Sequence, residues 1–89
     1  MKVSKNFILR EIAGEYMLVP VGTAAAGFNG LITMNEIGSF IFKALREEQT
    51  EAALVEQILA EYDIDRETAL ADLREFLQQL RELGALDEG

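Results

Sequence analysis

The chain has 89 residues, 49% of them hydrophobic and 27% charged, enough for one small domain and too well balanced for a disordered tail. It contains no Cys and no His, which excludes disulfides, thiol nucleophiles, Cys/His zinc sites and imidazole acid–base chemistry. The net charge of −8 is concentrated in the second half: four cations against three anions up to Leu45, then four against thirteen from Arg46 onward. A field of that sign repels phosphate backbones and anionic headgroups, so neither nucleic acid nor a membrane surface is an expected partner. The N-terminal MKVSKNFILREIAG lacks the apolar core of a signal peptide, and residues 17–28 are interrupted by Pro20, Gly22 and Gly27. A cytoplasmic protein without a membrane span is the expectation.

The elements are expected in the order β-β-β-α-α-α. Residues 7–12 (FILREI) and 16–21 (YMLVPV) are rich in β-branched and aromatic types, and Ala13-Gly14-Glu15 between them suits a tight antiparallel reversal. Pro20, which has no N–H to donate, belongs at an edge or near a strand end. A loop of small residues, 22–30, precedes a third strand over about 30–34. The apolar period then changes to that of a helix. Ile37, Phe40, Ile41, Ala44 and Leu45 mark a first helix over 36–47 capped by Asn35, and Leu54, Val55, Ile58, Leu59 and Tyr62 a second over 51–62 capped by Thr50. A third spans 66–83, with Asp65 as its cap, Ile64 and Ala69 as the staple around it, and Leu70, Leu73, Phe76, Leu77, Leu80 and Leu83 as its stripe. Gly84 is placed to end it in a left-handed conformation. The expected architecture is α+β: one domain over residues 1–89, a three-stranded antiparallel sheet followed by three helices.

Catalytic chemistry is hard to find. Asp63 and Asp65 flank Ile64 and Glu47 and Glu48 are adjacent, but neither pair sits in an apolar stretch that would tune a carboxyl group for proton transfer. Asp63-Ile64-Asp65-Arg66-Glu67 lacks the central Gly and terminal Glu of a calcium loop. Gly22, Gly27 and Gly30 lead into a strand with no following Lys-Ser or Lys-Thr, unlike a phosphate-binding loop. No catalytic residue, metal ligand or cofactor is expected, and the chain is not expected to be an enzyme.

Three binding roles remain. A sheet edge without a partner is a template for an added peptide strand. The same edge permits pairing with a second copy, as in a homodimer or a small structural subunit. A sheet with three helices also permits a winged-helix domain for nucleic acid or transcription regulation, but between Asp65 and Leu83 the third helix carries three cations against five anions, the wrong sign for the major groove. At about 100° per residue, Arg74 and Arg81 lie on one line at the border of the apolar stripe. They could receive carboxylates of an acidic, partly hydrophobic peptide, or pair within their own helix, for instance with Gln78.

The hairpin FILREIAGEYMLVPVG, the passage GLITMNEIGSFIFKAL and the ending FLQQLRELGAL follow one another at a recognisable spacing. In that order the chain resembles the PqqD family, the recognition elements of ribosomally made, post-translationally modified peptides, from about Phe7 to Leu86. Asn35-Glu36-Ile37-Gly38 and Phe40-Ile41-Phe42 are the most specific parts. The resemblance implies a non-catalytic, winged-helix-like carrier that binds the leader segment of a precursor peptide and presents it to a modifying enzyme, often a radical S-adenosylmethionine protein. It implies that the leader adds to the third strand, at Leu31, Ile32, Thr33 and Met34, opposite Leu70, Leu73, Arg74, Leu77 and Arg81 of the last helix. Main-chain hydrogen bonds would then supply affinity and alternate side chains specificity. Which strand side chains face the groove is open, because a one-residue slip reverses them all.

Overall fold

The computed structural model describes residues 1–22 and 32–88. Leu31, with the loop over 23–30 and the expected start of the third strand, lies outside the described residues. The elements run β1 (Lys2–Val3), β2 (Phe7–Ile12), β3 (Glu15–Pro20), β4 (Ile32–Met34), α1 (Glu36–Ala44), α2 (Glu51–Glu61), α3 (Arg66–Leu83) and β5 (Leu86–Asp87). Strands β2, β3 and β4 form an antiparallel sheet in that order, so β2 and β4 are its edges. The fold is α+β, a three-stranded antiparallel sheet with three helices after it.

The hairpin is tighter than a three-residue connection. Ile12 pairs with Glu15, leaving only Ala13 and Gly14 in the turn, at φ 54° and 82°. Positive φ at both central residues is the demand of a type I′ turn, whose twist matches the flanking strands. Glycine meets it freely, whereas Ala13 carries a Cβ into the left-handed region. Ala13→Asn is expected to stabilise the hairpin by up to about 1 kcal/mol, raising Tm by no more than about 8 °C; a thermal melt reads the gain. Pro20 closes β3 opposite Phe7, beyond the described residues that pair with β4, so its missing N–H leaves the pairing of Tyr16, Met17 and Leu18 with β4 intact.

Each helix starts on the expected cap. The Asn35 side chain accepts from Gly38 N–H at 2.7 Å, Thr50 from Ala53 N–H at 3.1 Å, and Asp65 from Thr68 N–H at 2.9 Å, satisfying first-turn donors that the helix leaves free. Hydrogen bonds from the Thr68 hydroxyl and from its backbone N–H hold the Asp65 carboxyl below its ordinary pKa. A carboxyl whose folded pKa is depressed adds stability above its unfolded pKa and loses it as pH falls through the folded value. Asp65→Asn should therefore lower Tm at neutral pH, and the gap to wild type should close as pH falls below about 4.

Helix α1 ends at Ala44, three residues before the expected 47. Leu45 is drawn into the core, and Arg46 and Glu47 continue only as a turn, donating to the carbonyls of Lys43 and Ala44. Helix α3 ends as anticipated: Gly84 takes φ 71°, its N–H reaches Arg81 O, and Ala85 N–H reaches Leu80 O at 2.8 Å, the paired bonds of a Schellman ending.

Two short strands were not anticipated. β1 pairs antiparallel with β5 through Lys2 with Asp87 and Val3 with Leu86. Val3 N–H donates to Leu45 O, Gln49 N–H to Met1 O and Ser4 N–H to Ala85 O, so β1 is stitched to both the α1 end and the α3 end. The core joins all these parts: Phe7 and Leu18 from the sheet, Ile41, Phe42 and Leu45, Leu54, Val55 and Ile58, and Ala69, Leu73, Phe76, Leu77, Leu80 and Ala85 are buried together. Phe42, 1% exposed, is a core residue.

Candidate groove between the sheet edge and the last helix

Among the described residues no strand covers the outer edge of β4. That edge borders a hollow of about 200 Å³ lined by Thr33, Met34 and Asn35, by Ile37, Gly38 and Ile41 of α1, and by Asp72, Glu75, Phe76 and Gln79 of α3. A second hollow, about 480 Å³, shares Thr33, Met34 and Asn35 and continues past Glu36 to Gly14, Glu15 and Tyr16. Together they make a groove along β4 from the flank of α3 to the hairpin turn.

The floor of this groove depends on a glycine. A Cβ on Gly38 would stand 3.2 Å from Asn35 Oδ1 and 3.2 and 3.3 Å from two carbons of the Phe76 ring, so the absent side chain lets α1 approach α3. Phe76 is 7% exposed, an aromatic base with little of its ring in solvent. Register orders β4: Met34 lies opposite Tyr16, Thr33 opposite Met17 and Ile32 opposite Leu18. Met34 packs on the core while Thr33 is exposed, as alternation on a one-sided sheet requires.

The expected α3 residues fall elsewhere. Leu73 and Leu77 are both 0% exposed and hold the core together, so neither lines a groove. Leu70 is half-buried and packs against the same core. Arg74 donates to Glu51 Oε1 of α2 from Nε at 3.3 Å and Nη2 at 3.1 Å, and Arg81 donates to Glu88 Oε1 at 3.2 and 3.0 Å. The arginines therefore pair neither within α3 nor at the groove; they serve the side of α3 that meets α2 and the C-terminal segment. What the stripe reading missed is the border on the other side, where Asp72, Glu75, Phe76 and Gln79 follow at i, i+3, i+4 and i+7, the spacing of one helical face. Of the four expected strand positions, Thr33 and Met34 line the groove, Ile32 continues the same edge, and Leu31 is outside the described residues.

Groove and arginines also differ in charge. Asp72 and Glu75 line the first hollow and Glu15 and Glu36 the second, with no Lys or Arg in either lining. Lys43 of α1 stands over the Tyr16 ring, 5.4 Å from its centroid. Tyr62, stacked edge-on to Phe40 at 5.5 Å, has its hydroxyl pKa raised by burial and by the nearby carboxylate of Glu36. Among the described residues no helix is long and apolar enough to cross a membrane.

The arrangement offers main-chain hydrogen bonds on one side and a shaped helix face on the other. No curated protein sequence matches the chain. The solved structure "TbiB1 in Complex with the TbiA(beta) Leader Peptide" superposes with a TM-score of 0.76 at 30% identity, covering 100% of this chain and 98% of that one. The family model for Coenzyme PQQ synthesis protein D (PqqD) matches residues 14–86, a span that starts at Gly14 in the hairpin turn and holds β4, all three helices and every residue that lines the groove. By that match, and by a fold shared end to end with TbiB1, the chain belongs to the PqqD family.

Proposed function

We propose that the protein binds the leader segment of a ribosomally made precursor peptide, which adds as a strand to β4 and lies in the groove against α3, and that it presents the bound peptide to a modifying enzyme. The observation that carries this reading is the edge of β4, covered by no strand among the described residues, facing Phe76 across a preformed hollow. An edge of this kind supplies hydrogen bonds that tolerate many sequences, and the helix face supplies the selection among them. A TbiB1 structure holding a leader peptide, with the same fold over the whole of this chain, supports the same mode.

In this role the protein performs no bond-making step itself. Catalysis belongs to its partner, for which a radical S-adenosylmethionine enzyme acting in the cytoplasm fits the family resemblance. The peptide contacts proposed on the strand are Leu31, Ile32, Thr33 and Met34; on the helix they move from Leu70, Leu73, Arg74, Leu77 and Arg81 to Asp72, Glu75, Phe76 and Gln79. Fluorescence anisotropy with the N-terminal half of the small peptide encoded beside the gene tests the role. Saturable binding that leaves the C-terminal half free is expected; a leader half that does not bind, or a protein that binds only a second copy of itself, would contradict it.

A further inference from the structure

The ionic partners in this molecule are distributed unevenly. Three of its arginines are taken: Arg66 by Glu56, Arg74 by Glu51 and Arg81 by Glu88. Lys43 stands over Tyr16, and Lys2, Lys5 and Arg46 line a separate hollow beside β1. Arg10 sits in β2, the far edge of the sheet from β4. The carboxylates of the groove are left over. Glu15, Glu36, Asp72 and Glu75 make no ion pair with any described residue, and residues 23–31 (TAAAGFNGL) carry no ionisable side chain that could supply one.

Asp72 and Glu75 are one helical turn apart and flank Phe76 on the α3 wall, with Asp72 half-buried and Glu75 exposed. A strand lying along β4 passes between this wall and Thr33 and Met34. An acidic segment there would add like charge to a groove whose lining has four carboxylates and no Lys or Arg, the Lys43 ammonium standing at its far end over Tyr16, in a protein of net charge −8. A cationic side chain would instead find two acceptors and a ring face for its aliphatic stem.

We propose that the leader recognised by this protein carries a Lys or Arg that is received by Asp72 and Glu75, next to an apolar side chain set on Phe76. The proposal rests on leader binding in the groove and deepens it, since it replaces the acidic peptide that Arg74 and Arg81 would have favoured with a basic one.

Selection from a displayed library of random 12-residue peptides tests it, run in parallel on the wild-type protein, on Asp72→Asn/Glu75→Gln and on Arg74→Gln/Arg81→Gln. Asn and Gln match the shapes of Asp and Glu, and the pairs of Arg74 and Arg81 are solvent-exposed, so both variants should fold, which circular dichroism verifies. Wild-type binders should share one Lys or Arg at a fixed distance from an apolar residue. Replacing that cation by Met should weaken binding to wild type about tenfold, and should change binding to Asp72→Asn/Glu75→Gln little, because the partner charges are gone. The Arg74→Gln/Arg81→Gln protein should select the same peptides as wild type. Binders that lack a shared cation, that are enriched in Asp or Glu, or that lose equal affinity on both proteins would overturn the charge proposal while leaving peptide binding intact. Failure of the wild-type protein to enrich any peptide, when TbiB1 selected alongside does enrich its own, would overturn the leader-binding role itself.

Discussion

Leu73→Ala is expected to cost the fold about 2–5 kcal/mol, out of the roughly 5–10 kcal/mol that holds a domain of this size together. Leu73 is 0% exposed and sits among Leu77, Leu80, Ile41 and Ile58 in the core, so truncation removes apolar contact and leaves a cavity that the neighbouring helices cannot fully close. Tm should fall by more than about 10 °C. Arg74→Gln, one residue along, is expected to change stability by less than about 1 kcal/mol, because its pair with Glu51 lies in solvent. The contrast distinguishes a core residue from a groove residue. Leu73→Ala weakens peptide binding only through unfolding, so binding measured well below its Tm should be close to wild type. A variant that melts normally yet fails to bind would return Leu73 to the groove.

The opposite pattern is expected of Gly38→Leu. Leucine has the better helix propensity by about 1 kcal/mol, but its side chain must enter the space between Asn35 Oδ1 and the Phe76 ring, where a Cβ alone already meets atoms at 3.2 Å. Overpacking of that kind costs about 1–3 kcal/mol, so the net loss in stability is at most about 2 kcal/mol. The groove suffers more: the new side chain fills the hollow beside β4 and displaces the Phe76 ring on which a peptide residue would rest. Leader affinity should drop at least about 30-fold, the loss of one well-buried apolar contact and its pocket. Anisotropy titration and a melt on the same sample check both halves.

Most of the fold could be read in advance because its signals are local. Asn35, Thr50 and Asp65 cap the three helices, and Gly84 ends the last one. The apolar spacings marked the buried faces. Strands β1 and β5 could not be seen, since two residues are too few for alternation and their pairing joins the two ends of the chain. The early end of α1 has a similar cause: Leu45 continues the apolar stripe, and only the backbone bonds to β1 explain why the chain leaves the helix there.

For the groove, sequence supplied the strand and the helix but not the side of the helix. The α3 stripe centred on Leu73, Leu77 and Leu80 has two borders, roughly 60–120° to either side. Leu70, Arg74 and Arg81 lie on one, and Asp72, Phe76 and Gln79 on the other. Nothing in a single helix distinguishes them. Helix α2 decides, because Glu51 takes Arg74 on the first border and leaves the second to face β4. One clue was present: Gly38, in the passage that most resembles the family, needs a large neighbour across a close approach, and that neighbour is Phe76.

In the proposed binding mode a peptide lies between β4 and the Asp72–Gln79 face of α3. Backbone amide NMR of the labelled protein, titrated with the leader half of the neighbouring precursor peptide, tests it residue by residue. Shifts are expected to concentrate at Ile32, Thr33 and Met34, at Gly38, and at Asp72, Glu75, Phe76 and Gln79, with Leu70, Arg74 and Arg81 unmoved. Shifts centred on Leu70, Arg74 and Arg81, or a titration that leaves β4 unchanged while peptide binds, would contradict it.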